Sequence, residues 1–392
     1  SRGLGGLSPR MDGETAADLF ATLLSVDPSN AKVQFHYGGV LRSLGRNEDA
    51  LAAFRAAVAL DPTMADAHNN MGGILQGLGD DAGAIDAYQT ALEIRSRDAV
   101  AHYFFGNRVL ELGRTDKAVD AFRQALALQA DFAPAYAGLA NALLYGSEPA
   151  AALDACEQCL SIDPMNRNGI SYKSIALTEL GQDDAQYHLT DFDLLVRATR
   201  ISPPTGYRDL AEFNRAIADY IAQHPKLGQE RDKVVREGSE LSHLLTNPRG
   251  PIKELTAIIQ AQGAAYLDAI PTGTNHPYLS HRPSGWRLDG WGTILQKGGH
   301  QLAHNHANAW LSGVYYVQVP RSIRDGENAP AGWIEFGHPP DAYPRTREPK
   351  LTLVQPEEGK MLLFPSYMWH RTFPFEEDAR RITIAIDFEP AS

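Results

Sequence analysis

The chain has 392 residues, 43% of them hydrophobic and 21% charged, with a net charge of −12. That is enough for two or three domains with real cores. The acidic balance and the lack of a basic stripe argue against a protein that tracks nucleic-acid phosphates, and no apolar run approaches the roughly 18 residues that span a bilayer. No secretory signal is visible and only two cysteines occur, so a cytoplasmic protein without disulfides is expected.

The opening stretch "SRGLGGLSPRM" lacks an initiator Met and reads as a trimmed start or a cloning scar. Beyond it the sequence repeats with a period of 34. Turn glycines recur at Gly45, Gly79 and Gly113, and Gly181 rejoins the series after Ser147 interrupts it. A small residue recurs at Gly38, Gly72, Gly106, Ala140 and Ser174, with an aliphatic residue three positions later at Leu41, Leu75, Val109, Leu143 and Leu177. The following helix carries Ala50, Ala84, Ala118 and Ala152, then Phe54, Tyr88, Phe122 and Cys156, and Pro62 and Pro164 end their units. This pattern resembles the tetratricopeptide repeat over roughly residues 14–190. The run "AADLFATLLSVDP" aligns as a lone second helix through Ala16, Phe20 and Pro28, so the array begins in mid-repeat.

Phase also assigns isolated residues. Cys156 and Cys159 form a C-x-x-C pair, a spacing used in redox and zinc sites. Yet they fall on the Phe54 and Ala57 positions of the repeat, which predicts two core thiols. His68 and His102 share one repeat position, held by Tyr136 in the next unit, and read as packing residues. Solenoids of this kind bind extended peptides in their groove. Asn69, Asn107 and Asn141 fall at first-helix positions that face the groove in the family, where an amide can both donate to and accept from a peptide backbone. Solvated polar residues are the plain alternative.

From about 191 to 270 the 34-residue period is lost while helical spacing persists. "DLAEFNRAIADYIAQHP" sets Leu210, Phe213, Ile217 and Ile221 on one face, and "PIKELTAIIQAQGAAYLDAI" carries a second stripe. "REGSELSHLLTNPRG" between them reads as a loop. After 271 seven short β-rich runs follow: "WRLDGWGTILQ", "WLSGVYYVQVP", "GWIEFG", "LTLVQP", "KMLLFPS", "HRTFPF" and "RRITIAIDF". The expected architecture is therefore α + β: an α-solenoid (1–190), a helical bridge (191–270) and a jelly roll or double-stranded β-helix (271–392).

Three histidines lie within seven residues at the head of the second run: His300, His304 and His306. In a strand, residues i and i+2 share a face, so His304 and His306 can reach one ion, and His370 closes a later strand. Two ligands close in sequence and a third downstream suit a mononuclear metal site; the 2-His-1-carboxylate form is the non-haem Fe(II) oxygenase triad.

Here residues 285–390 resemble the 2-oxoglutarate and Fe(II)-dependent oxygenases. They are most like a bacterial group marked by H-x-H-x-N-x-W-L-S-G-V-Y-Y, G-W-I-E-F-G and L-F-P-S-x-x-x-H. The resemblance makes His304 and His370 iron ligands and catalytic residues. Arg381, eleven residues after His370, becomes the grip on the far carboxylate of 2-oxoglutarate, with Thr383 and Tyr315 beside it. A planar fork suits a carboxylate better than a lysine does. The usual H-x-D is H-x-H in this chain, and three readings stay open: His306 is the third ligand, a water takes its place, or a carboxylate such as Glu335 completes the triad. His300 reads as a turn residue and His338 as part of the entrance. The absence of a phosphate-binding loop or a G-x-S-x-G elbow leaves Ser366 no nucleophilic role.

The expectation is thus an Fe(II)- and 2-oxoglutarate-dependent dioxygenase with the iron held by His304, His306 and His370, a hydroxylase of a peptide or protein delivered by the repeats. One alternative is a three-histidine iron dioxygenase that does not use 2-oxoglutarate; another is a repeat scaffold with an inert barrel.

Overall fold

The computed structural model describes residues 13–228, 234–272, 276–325 and 329–391. The stretch read as a trimmed start, residues 1–11, lies outside them. The chain divides into two compact units, Ser1–Asp131 and Phe132–Ser392.

In the first unit seven helices follow one another: α1 (Gly13–Val26), α2 (Ala31–Ser43), α3 (Asn47–Leu60), α4 (Ala65–Gly77), α5 (Asp81–Ile94), α6 (Ala99–Glu111) and α7 (Thr115–Leu128). Close helix pairing requires the small residues of the repeat. A Cβ at Gly38 would lie 3.0 Å from Phe54, at Gly72 2.5 Å from Tyr88 and at Gly106 2.8 Å from Phe122. The turn glycines Gly45, Gly79 and Gly113 adopt φ of 76°, 82° and 70°, the left-handed cap that glycine adopts without strain. His68 and His102 each turn Nε2 to a carbonyl six residues back, Pro62 O at 3.3 Å and Ser96 O at 3.1 Å.

The second unit opens with four more such helices, α8 (Ala133–Tyr145), α9 (Pro149–Ile162), α10 (Arg167–Glu179) and α11 (Asp183–Leu189). Cys156 and Cys159 are buried in α9. Burial pushes the Cys159 thiol up to about 12 and raises Cys156 as well, so neither is a reactive thiolate at neutral pH.

There follow α12 (Phe192–Leu195), β1 (Arg197–Arg200), α13 (Leu210–Ala222), β2 (Val235–Leu241), α14 (Pro251–Ala269), α15 (Pro277–Ser280), β3 (Trp286–Gln301), β4 (Leu311–Gln318), α16 (Arg321–Asp325), β5 (Ile334–Phe336), β6 (Thr352–Val354), β7 (Lys360–Pro365), β8 (His370–Thr372) and β9 (Arg381–Pro390). All seven β-rich runs form strands. The segment read as a helical bridge supplies two more, β1 and β2, and part of "REGSELSHLLTNPRG" is β2 rather than loop. Neither has an alternating apolar pattern, because both are edge strands with mostly solvated side chains.

The expected jelly roll does not form. The strands build an open six-stranded sheet, β1-β7-β4-β9-β3-β2, and a separate three-stranded sheet, β6-β5-β8. An isolated bridge between His304 and His370 lies outside the named strands. The smaller sheet cannot wrap into a barrel because β5, β6 and β8 are three residues each. Pro339, Pro356 and Pro374 follow them closely, and proline has no N–H to extend a ladder.

Helices cover one face of the large sheet. Phe213, Ile217 and Ile221 of α13 are fully buried. Gly292 leaves room for Ile221, and Gly263 of α14 leaves room for Phe388. Because strand side chains alternate, Ile384, Ile386 and Phe388 serve this core, while Arg381, Thr383, Ala385 and Asp387 point to the opposite face. No described helix is long and apolar enough to cross a membrane.

Candidate metal centre

On that opposite face, β9 and β4 set Thr383 opposite Tyr316, Ala385 opposite Val314 and Asp387 opposite Ser312. The segment after β3 brings His304 and His306 over these residues. The His306 amide donates to Ser366 O at 2.8 Å, and His304 and His370 exchange a pair of 3.0 Å backbone hydrogen bonds. The rings of His304 and His370 lie 4.3 Å apart, and each lies 5.2 Å from that of His306. The three offer ligand atoms that all fall within 4.8 Å of one another.

Each ring is also held in one tautomer. His304 Nδ1 is 2.7 Å from Leu302 O, His370 Nδ1 is 3.0 Å from Met368 O, and His306 Nδ1 is 2.9 Å from the Asp387 carboxylate. These oxygens only accept, so Nδ1 carries the proton and Nε2 keeps its lone pair for a metal, the arrangement common to metal-binding histidines. Burial, reinforced by His304 and His306, drives the His370 pKa well below its ordinary value. The neutral ring it favours is the ligating form. Three imidazole nitrogens suit iron, as they suit zinc, copper or nickel.

No acid joins the cluster among the described residues. Glu335 is buried but pairs with Arg371 at 2.6 Å, its cross-strand neighbour in the smaller sheet; it does not complete the triad. The expectation of a 2-oxoglutarate-dependent dioxygenase is therefore corrected. The facial triad of that class places a carboxylate on the metal, whereas the third donor here is His306. The three-histidine alternative fits the donor set better, and 2-oxoglutarate is withdrawn as co-substrate.

Of the residues expected beside the metal, Arg381 and Thr383 line the same cavity as the three histidines. Tyr315 does not. It lies on the helix-covered face, where its hydroxyl donates to Asn214 Oδ1 of α13 at 2.5 Å, and Tyr316, one residue on, takes the place assigned to it. Arg381 is only 2% exposed. Its guanidinium sits 5.5 Å from the centre of the Tyr316 ring, its Nε has no hydrogen-bond partner, and no acidic side chain among the described residues forms an ion pair with it.

Two further residues, Trp291 and Asp387, belong to the site although no motif marks them. Trp291 stacks on His306 at 5.6 Å, nearly parallel at 12°. Strand alternation alone puts Asp387 on the face of Arg381 and Thr383, and that was the available signal. His300 turns to Gly298 O at 3.0 Å, outside the cluster. His338 is buried and takes a hydrogen bond from Arg345 at 2.8 Å. Of the asparagines expected to face a groove, Asn69 is exposed and Asn107 half-buried, while Asn141 accepts a 2.6 Å hydrogen bond from Tyr343 within its own unit.

Residues 289–387 match the family described as "Putative 2OG-Fe(II) oxygenase", and residues 38–79, 63–131 and 105–166 match tetratricopeptide-repeat families. The chain is thus a tetratricopeptide array fused to a domain of that oxygenase family. Among solved structures, MamA is 25% identical over 39% of this chain and 89% of its own, with a TM-score of 0.36. YrrB, titled a TPR protein with an unusual peptide-binding site, is 18% identical over 45% of this chain and 92% of its own, at 0.39. The C-terminal part of a repeat protein from Cytophaga hutchinsonii is 17% identical over 44% and 67%, also at 0.39. No curated protein matches the chain.

Proposed function

We propose that the chain is an iron-dependent oxygenase in which His304, His306 and His370 hold the metal and an anionic organic substrate binds at the metal directly, without 2-oxoglutarate. The observation that carries this reading is the convergence of three imidazoles whose ligand atoms lie within 4.8 Å of one another, each with Nδ1 already engaged. Iron bound there would supply the dioxygen chemistry. The chain supplies the rest. Arg381 offers its forked donors to an acidic group of the substrate, a contact that would settle a buried guanidinium now lacking a carboxylate. Tyr316 supports that guanidinium from its ring face. Trp291 shields one face of His306 from water.

The repeats serve as a recruiting surface in this reading. Asn69 and Asn107 remain available to a peptide backbone, which makes a peptide or protein carrying the acidic group the preferred partner.

Anaerobic titration with Fe(II), followed by oxygen uptake across a panel of carboxylic acids and acidic peptides, tests the proposal. One iron per chain and oxygen consumption without added 2-oxoglutarate are expected. A strict requirement for 2-oxoglutarate, or no iron uptake, would overturn it.

A further inference from the structure

The three histidines are not equivalent at their outer nitrogens. His304 and His370 each turn Nδ1 to a neutral backbone carbonyl two residues earlier, whereas His306 turns it to the carboxylate of Asp387 at 2.9 Å. Asp387 is 7% exposed. Its other oxygen accepts a 2.6 Å hydrogen bond from Ser312, the residue opposite it in the ladder. Among the described residues no lysine or arginine forms an ion pair with it; its only ionic contact is with His306. A buried carboxylate with one hydroxyl donor and one imidazole donor concentrates its charge on that imidazole.

We infer that Asp387 is a positioning residue that supplies, through His306, the negative charge this ligand set lacks. The inference rests on the three-histidine reading above. The sequence has H-x-H where the wider family has H-x-D, and β9 returns an acid to the site one layer further out. Asp387 makes His306 a stronger electron donor than its two neutral-backed partners and fixes the ring edge-on. Trp291 fixes the same ring from its face. Iron held there would then be partly neutralised although none of its three protein ligands is a carboxylate.

Co(II), whose visible bands report ligand field, is the probe, used on the full chain. In wild type it should bind once per chain, and His304→Ala should abolish binding. Asp387→Asn keeps the shape, removes the charge, and should weaken Co(II) about 10- to 100-fold with shifted bands, while Asp387→Glu restores part of both. Should Asp387→Asn fail to fold, Ser312→Ala decides. Loss of its hydrogen bond loosens the carboxylate and should weaken binding about 2- to 5-fold, with a band shift in the same direction. Wild-type affinity and bands in Asp387→Asn, or in Ser312→Ala where that variant decides, overturn the role of Asp387 and leave the three-histidine site standing. Failure of wild type to bind Co(II) ends both.

Discussion

His304 and His370 hold each other through their backbones before any side chain is considered, each amide donating to the other's carbonyl at 3.0 Å. This isolated rung sets the two rings 4.3 Å apart. Ring and rung can be separated by mutation. His370→Ala removes a ligand and keeps the rung, so it should abolish stoichiometric metal binding while the far-UV circular dichroism stays native. His304→Pro removes the amide as well and should lose both metal and thermal stability. Native metal affinity in His370→Ala would falsify the site.

A metal that binds only the folded chain must also stabilise it. At a free concentration a hundred times Kd the gain is about 2.7 kcal/mol, which in a unit of this size raises Tm by about 5–10 °C. Calorimetry with and without chelator measures it. The increment should vanish in His304→Ala, and a Tm indifferent to metal in wild type would contradict the assignment.

Much of this was legible in the sequence where one residue type answers one geometric need. The period of 34 marked Gly72 because only a residue without Cβ fits beside Tyr88, and H-x-H with a downstream histidine marked His304, His306 and His370, although His304 and His306 lie between β3 and β4 and not on one strand as the alternation argument required. Sheet closure was not legible. Seven strand-like runs suit an open pair of sheets as well as a barrel, and the deciding facts are the three-residue lengths of β5, β6 and β8. β1 and β2 were hidden because edge strands need no apolar alternation. Tyr315 was preferred to Tyr316 because alternation says that two neighbours face opposite ways without saying which faces the core.

The glycine assignment can be tested in opposite directions within one helix type. Gly39 of α2 has nothing within 4 Å of a built Cβ, whereas at Gly72 of α4 the Cβ would fall 2.5 Å from Tyr88. Gly39→Ala should stabilise by about 0.5–1 kcal/mol through helix propensity. Gly72→Ala should destabilise by about 1–3 kcal/mol through overpacking, and Tyr88→Leu should relieve it. Urea denaturation reads both, and equal effects would remove the packing argument.

Acid sensitivity should arise at His276, which caps α15 by accepting from the amides of Tyr278 and Leu279. Burial lowers its pKa to about 4, against about 6.5 in the unfolded chain. A depressed histidine gives stability that is complete above the unfolded value and is lost as pH falls toward the folded one, here up to about 3 kcal/mol. His276→Asn keeps a capping oxygen and cannot titrate. Urea midpoints from pH 7 to pH 4 should therefore fall less steeply in the variant than in wild type, even though His370, whose pKa burial also lowers, adds to the slope in both. Parallel profiles would refute the assignment.

Arg381 poses the opposite problem, a buried charge that folding alone does not justify. Guanidinium stays protonated even where burial lowers its pKa, and the nearby Tyr316 ring compensates only part of the lost hydration. Arg381→Met has similar reach and no charge, so without ligand it should be neutral or more stable by about 1–4 kcal/mol, as when buried ionic groups are replaced by apolar ones. Function should move the other way. Carboxylic acids that raise the Tm of the metal-loaded wild type should leave Arg381→Met unmoved, and Arg381→Lys, which keeps the charge without the fork, should recover little. A marked loss of ligand-free stability in Arg381→Met would instead make Arg381 a structural residue, and the substrate would then have no reason to be an anion.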